Sequence, residues 1–156
     1  MQSDDIEPLE PGHWMQRIRQ LAMRPLDDED DLERALRHAF HLVKLVPRPL
    51  RHIIHSTHDE PEFEALLETR AFEAAVLQLL GTRTPYSLSK SGDGRGVTAE
   101  VWYPDQYDRH LATEGSAALA LFRAWLECNA ALGNADEAEL SIRVATLMPG
   151  ETSTEH

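Results

Sequence analysis

The residues best able to do chemistry gather in one stretch. Between Arg34 and His58 lie Arg34, Arg37, Lys44, Arg48, Arg51 and five of the eight histidines, with no acid among them. His52, His55 and His58 recur at i, i+3, i+6, and His38 with His41 adds another i, i+3 pair. Imidazoles ligate zinc, nickel and copper, and i, i+3 neighbours on a helix can share one ion. A zinc signature would pair them with CxxC or HExxH and a distant third ligand, which this stretch lacks. Three positions at 100° per step also drift round a helix instead of converging. The histidines therefore read as a solvated, partly protonatable surface. No metal is favoured and no cofactor is expected; were a metal bound, His52, His55 and His58 would hold it.

The cations in the same stretch invite a second chemistry. Arg34, Arg37, Lys44, Arg48 and Arg51 are spaced to line one side of a helix and its continuation, where they could meet several phosphates. The whole chain carries 15 Lys and Arg against 27 Asp and Glu, a net charge of −12. The segment 34–58 is +5, so the remainder is −17. Such a remainder repels nucleic acid and acidic membranes unless it lies on the far side. Three readings follow: internal neutralisation by Asp27–Asp31 or Asp59–Glu64, a protein partner, or a nucleic acid.

A third candidate is Trp102-Tyr103-Pro104-Asp105-Gln106-Tyr107-Asp108-Arg109-His110. Aromatics and arginine supply large contact area at interfaces, so Trp102, Tyr103, Asp105, Tyr107, Asp108 and Arg109 form a candidate partner-binding edge. Its carboxylates and His110 could make an acid–base pair, but nothing places a nucleophile beside them, and no catalytic residue is assigned. Gly92-Asp93-Gly94-Arg95-Gly96 has phosphate-loop composition, yet a strand follows it rather than a helix N-terminus, so it reads as a hairpin turn. The single Cys128 sits beside Trp125 and Leu132 as a small buried hydrophobe.

These residues need elements to hold them. Trp14, Ile18, Leu21 and Ala22 are spaced for a short helix over 12–23, ended by Arg24-Pro25. The acids at 27–31 crowd the first turn of a second helix reaching about Val46, because negative charge suits its positive end. Pro47-Arg48-Pro49 breaks it, and Leu50–His55 can add a turn. Asp59 and Glu62 form a capping box for a helix reaching Leu80, either multi-faced or broken near Glu68-Thr69-Arg70. Tyr86–Lys90 and Gly96–Tyr103 alternate as a β-hairpin, with Val97, Ala99, Val101 and Tyr103 sharing one side. Pro104–Leu111 reads as a polar loop. Thr113 or Ser116 caps an apolar helix over 116–132, which Gly133 stops. Asn134-x-x-Glu137 opens a last helix, though Leu140, Ile142 and Val144 also suit a third strand.

The fold class is therefore α+β and mostly helical: four to five helices and a small antiparallel hairpin on a central apolar helix. The predicted organisation is a flexible lead-in over 1–11, one globular domain over 12–148 and a disordered tail over 149–156. The acidic N-terminus gives no secretory signal, and Arg123 and Glu127 interrupt the one long apolar run. A cytoplasmic protein with no membrane partner is expected.

Residues 60–132 run AFEAAVLQLLG, strands around YSLSK and VTAEVWYPD, then a loop and TEGSAALALFRAWLECNAAL. This resembles the small phage-associated domains described as an ABA sandwich, where a strand ends in an aromatic and a turn and a late helix opens with threonine or serine. The likeness covers about half of the chain and rests on pattern, not on a chemical motif; the first sixty residues, with the basic segment, lie outside it. It implies a phage or prophage accessory protein of no assigned catalytic function and supplies no site residues. The function expected is a non-enzymatic acidic interaction protein that binds and modulates, or inhibits, a cytoplasmic host protein such as a nucleic-acid-handling or defence component. The alternative is a nucleic-acid-associated regulator using 34–58, and after it a histidine-based metal protein or enzyme. Expected partners are a host or phage protein, nucleic acid on the alternative reading, and a second copy of the chain.

Overall fold

A computed structural model describes residues 8–51, 53–54, 59–90, 92–104 and 108–147, with side chains through Leu132. Helix α1 (Pro11–Ala22) opens on a proline that suits a first turn and buries Trp14, Met15, Ile18 and Leu21. Helix α2 (Glu29–Lys44) is capped by Asp28, whose carboxylate accepts from the Asp31 N–H at 2.8 Å. Its acidic first turn and buried stripe, Leu32 through Val43, follow the predicted pattern. The Trp14 indole donates to the Leu42 carbonyl at 2.7 Å and fixes α1 on α2. Beyond Pro47 a single 3-10 turn covers Arg48–Leu50, inside the predicted break and ahead of the turn expected over Leu50–His55, of which His52 and His55 lie outside the described residues. The predicted lead-in and tail fall largely outside the described residues, but the Leu9 N–H bonds the Leu45 carbonyl at 3.0 Å and Pro11 is already helical.

The apolar run from Glu60 to Leu80 is two helices, α3 (Glu60–Glu68) and α4 (Phe72–Leu80), with the break at Thr69-Arg70. Asp59 caps α3 through the Glu62 N–H at 3.0 Å. Arg70 takes the left-handed conformation, φ 60°. The Ala71 N–H reaches the Leu66 carbonyl and the Arg70 N–H the Leu67 carbonyl, which is Schellman geometry. Phe40 and Phe63 stack at 4.4 Å and join α2 to α3.

Three strands form one antiparallel sheet in the order β1 (Tyr86–Lys90), β2 (Val97–Val101), β3 (His110–Glu114). Leu88, Ala99 and Ala112 stand in one cross-strand row. Gly94, φ 72°, turns the β1–β2 hairpin. The third strand corrects the sequence reading, because it lies in and just after the predicted 104–111 loop. The 140–144 segment is helical, as the first of its two readings had it.

Helix α5 (Ala117–Leu147) is 31 residues long and runs straight through Gly133. The predicted stop at Gly133 and new start at Asn134 are thus one continuous helix. Ser116 caps it, its Oγ accepting from the Leu119 N–H at 3.2 Å. The first half lies between β2 and β3 on one side and α1 and α4 on the other. Leu121, Phe122, Ala124, Trp125, Leu126 and Cys128 are all buried, each large apolar side chain contributing about 1.5–3 kcal/mol. The central role expected for this helix is what the packing shows, in an α+β, predominantly helical fold. Arg123, which interrupts the apolar run, donates from its guanidinium to the Ala22 carbonyl at 2.9 Å and the Arg24 carbonyl at 2.8 Å, satisfying the end of α1. Among the described residues no helix is long and apolar enough to cross a membrane.

Candidate partner-binding surface

One face of the sheet lies on α5; the other carries a connected polar and aromatic row. Register aligns Ser87 with Glu100 and Glu100 with Leu111, and Ser89 with Thr98 and Thr98 with Thr113. Alternation turns these residues, with Trp102, away from α5. The Thr98 and Thr113 hydroxyls share a 2.8 Å hydrogen bond. Ser87 Oγ donates to Glu100 Oε1 at 3.2 Å, and Arg109 Nη1 stands 3.8 Å from the same oxygen. The Arg109 guanidinium lies over the Trp102 ring, 4.0 Å from its centroid, a contact worth about 0.5–1 kcal/mol at an exposed site. Leu111 beside them is 60% exposed.

Of the predicted partner-binding residues, the structure therefore brings Trp102 and Arg109 together, with Asp108 exposed next to them. Asp105 and Tyr107 lie outside the described residues, as do His52, His55 and His58. Tyr103 is a correction. It is 2% exposed and its hydroxyl donates to Asn129 Oδ1 at 2.6 Å, so it belongs to the core. Burial pushes its phenol well above the ordinary range, and Cys128 adds to this, against the Asn129 hydrogen bond. The physical reason was in the sequence: Tyr103 alternates with Ala99 and Val101, both fully buried. Leu111 was missed because 104–111 was read as a loop, and Thr113 because it was read as a helix cap, although HLATE alternates in the manner of a strand.

The basic segment is mostly compensated. Arg37 forks Glu64, Nε to Oε2 and Nη2 to Oε1, both at 2.8 Å, and also reaches Glu33 at 3.1 Å. That fork holds the Glu64 carboxyl below its ordinary range and the Arg37 guanidinium above its own. Lys44 meets Glu60 at 2.9 Å and Arg34 meets Asp31 at 2.8 Å. Arg34, Arg37 and Lys44, read as anion contacts, are thus matched by the acids at 27–31 and 59–64, one of the three readings of the segment. Arg48 and Arg51 are exposed and have no ion-pair partner among the described residues.

Cys128 is buried, and burial pushes its thiol up to about 12, against a hydrogen bond from the Tyr103 backbone. His38 is lowered by burial, then by Arg24, Arg17 and His41. Among the described residues no group of three His, Cys, Asp or Glu is placed to hold a metal ion. The outer face of α1 bounds a polar groove of about 310 Å³ with Leu9, His13, Gln16, Arg17 and Gln20. No protein-family description, curated protein or solved structure matches the chain.

Proposed function

We propose that this chain is a non-enzymatic protein-binding module that engages its partner through the uncovered side of its sheet. The observation that carries the reading is the Trp102–Arg109 stack beside the 60%-exposed Leu111, on a face that no helix of the described residues covers. Tryptophan and arginine dominate interface energetics, and here each side chain already holds the other in place. The setting that the resemblance of residues 60–132 supplies is a phage or mobile-element accessory protein modulating a cytoplasmic host protein.

The test is affinity capture from bacterial lysate, with and without nuclease, using the native chain and a Trp102→Ala/Arg109→Ala variant of unchanged melting temperature. A stoichiometric protein retained in both nuclease conditions, and at least ten-fold depleted with the variant, is the expected result. Recovery that disappears on nuclease treatment would instead favour nucleic-acid binding through Arg48 and Arg51.

A further inference from the structure

We infer that the β1 edge of the sheet takes an extended segment of the partner, added as a fourth strand, with apolar side chains at alternate positions and acidic residues at both ends. The inference rests on the protein-binding reading above and names the partner's chemistry and its mode of binding.

Strand β1 is at the edge of the sheet, and all five of its residues are exposed. Its hydrogen-bonding phase follows from one bond. Trp102 N–H donates to the Pro85 carbonyl at 3.3 Å, and these two residues continue the β1–β2 register. Antiparallel pairs alternate between bonded and non-bonded, so Ser87 and Ser89 point their backbone groups at β2. Tyr86, Leu88 and Lys90 then present N–H and C=O groups outward, a template about 17 Å long for another strand.

Side chains strengthen the case. Tyr86 and Leu88 share the row of Val101 and Ala99, which faces α5. But α5 lies across β2 and β3, while β1 packs extensively on β2 alone. Tyr86 and Leu88 therefore overhang the helix and remain 42% and 37% exposed, where the core residues opposite them are at 0%. A fourth strand would lay alternate apolar side chains beside them and continue the core outward.

Charge decides between occupants. From Ala74 to Gly92 the chain carries Arg83 and Lys90 and no acid, and in the hairpin turn Asp93 is followed by Arg95, which leaves three cations to one acid from Ala74 to Arg95. The three are exposed and have no ion-pair partner among the described residues. Arg83 stands at one end of β1 and Lys90 with Arg95 at the other. Two copies joined along β1 would gather two such sets at one seam, whereas an acid-flanked strand neutralises one. On a chain of net −12 this edge is a local cationic site, effective over about a Debye length of 8–10 Å.

The experiment displays a random twelve-residue peptide library against the full-length chain and measures the recovered peptides by titration. Peptides with alternating apolar residues between acidic ends are expected. Adding the best of them should slow amide exchange at Tyr86, Leu88 and Lys90. Leu88→Pro removes an outward N–H without touching the β1–β2 ladder, so it should keep the fold and weaken binding at least ten-fold. Arg83→Glu/Lys90→Glu should weaken acidic peptides to a similar degree and does not depend on how proline is tolerated. Binders that survive both variants but are lost in Trp102→Ala/Arg109→Ala would overturn the edge proposal and leave the binding reading standing. A library that yields no binder overturns both, and light scattering that shows a dimer lost in Leu88→Pro would assign the edge to a second copy instead.

Discussion

Tyr103 and Asn129 form a polar pair inside an apolar core, and each depends on the other. The phenol has Asn129 Oδ1 at 2.6 Å, while Asn129 Nδ2 is buried with no hydrogen-bond partner among the described residues. Removing one member strands the other, which costs about 1–3 kcal/mol, whereas replacing both by apolar groups restores much of the loss. Tyr103→Phe and Asn129→Leu should each destabilise by that amount, and the double variant should be more stable than the sum of the two predicts. Urea denaturation measures this; strictly additive losses would show that the pair is not coupled. At this scale the sequence was informative where alternation applied: the side that Tyr103 faces could be read from Val97, Ala99 and Val101. The stack of Arg109 on Trp102 could not, because a loop separates them and local spacing carries no information across it.

Arg70 is where local conformation and sequence disagree. It occupies the left-handed position that closes the Schellman motif after α3, a place glycine takes without strain. Its side chain offsets part of that strain, reaching Glu29 at 3.1 Å and Asp30 at 3.5 Å and lying 5.9 Å from the Phe72 ring. Exposed pairs of this kind give about 0.2–1 kcal/mol, against roughly 1–2 kcal/mol for the backbone strain. Arg70→Ala keeps the strain and loses the pairs, so it should lower the melting temperature. Arg70→Gly should be more stable than Arg70→Ala by about 1 kcal/mol, and equal melting temperatures for the two would contradict this reading. The caps at Asp59 and Ser116, and the hairpin, were legible because a cap or a period-two pattern is decided within a few residues. Two elements were not. Strand β3 is only half-buried, which dilutes its alternation, and Gly133 inside α5 lowers helix propensity by only about 1 kcal/mol, too little to end a helix that begins in the core.

Acid should act on the molecule as a whole. His38 is lowered below its ordinary value of 6.5, first by burial and then by Arg24 and Arg17 from the α1 side and His41 from α2. The unfolded chain therefore takes up that proton first, and stability falls as the pH drops below about 6.5. Glu64 has a lowered pKa because Arg37 bonds its carboxylate, so its contribution is present above 4.5 and is lost as the pH falls further. Both shifts have the same sign, and thermal unfolding should show two successive losses between pH 7.5 and 3. His38→Gln should flatten the upper one and Glu64→Gln the lower. An upper slope unchanged in His38→Gln would place the sensitivity on another group. The compensation of the basic segment is the whole-molecule charge feature. Arg37 and Lys44 meet Glu64 and Glu60 across the α2–α3 packing, whereas Arg34 meets Asp31 within α2 at i, i+3 spacing, the part that local spacing reveals.

The Arg123 clasp on the end of α1 has a consequence in time. Its guanidinium bonds the Ala22 carbonyl 101 residues earlier in the chain. During synthesis at 5–20 residues per second, α1 leaves the ribosome roughly 5–20 s before the arginine that closes it. Through that interval the indole of Trp14 can already find the Leu42 carbonyl, so α1 and α2 can form a provisional pair. The apolar side of that pair waits for α5, which makes the last third of the chain the part that turns a nascent helical hairpin into a finished protein.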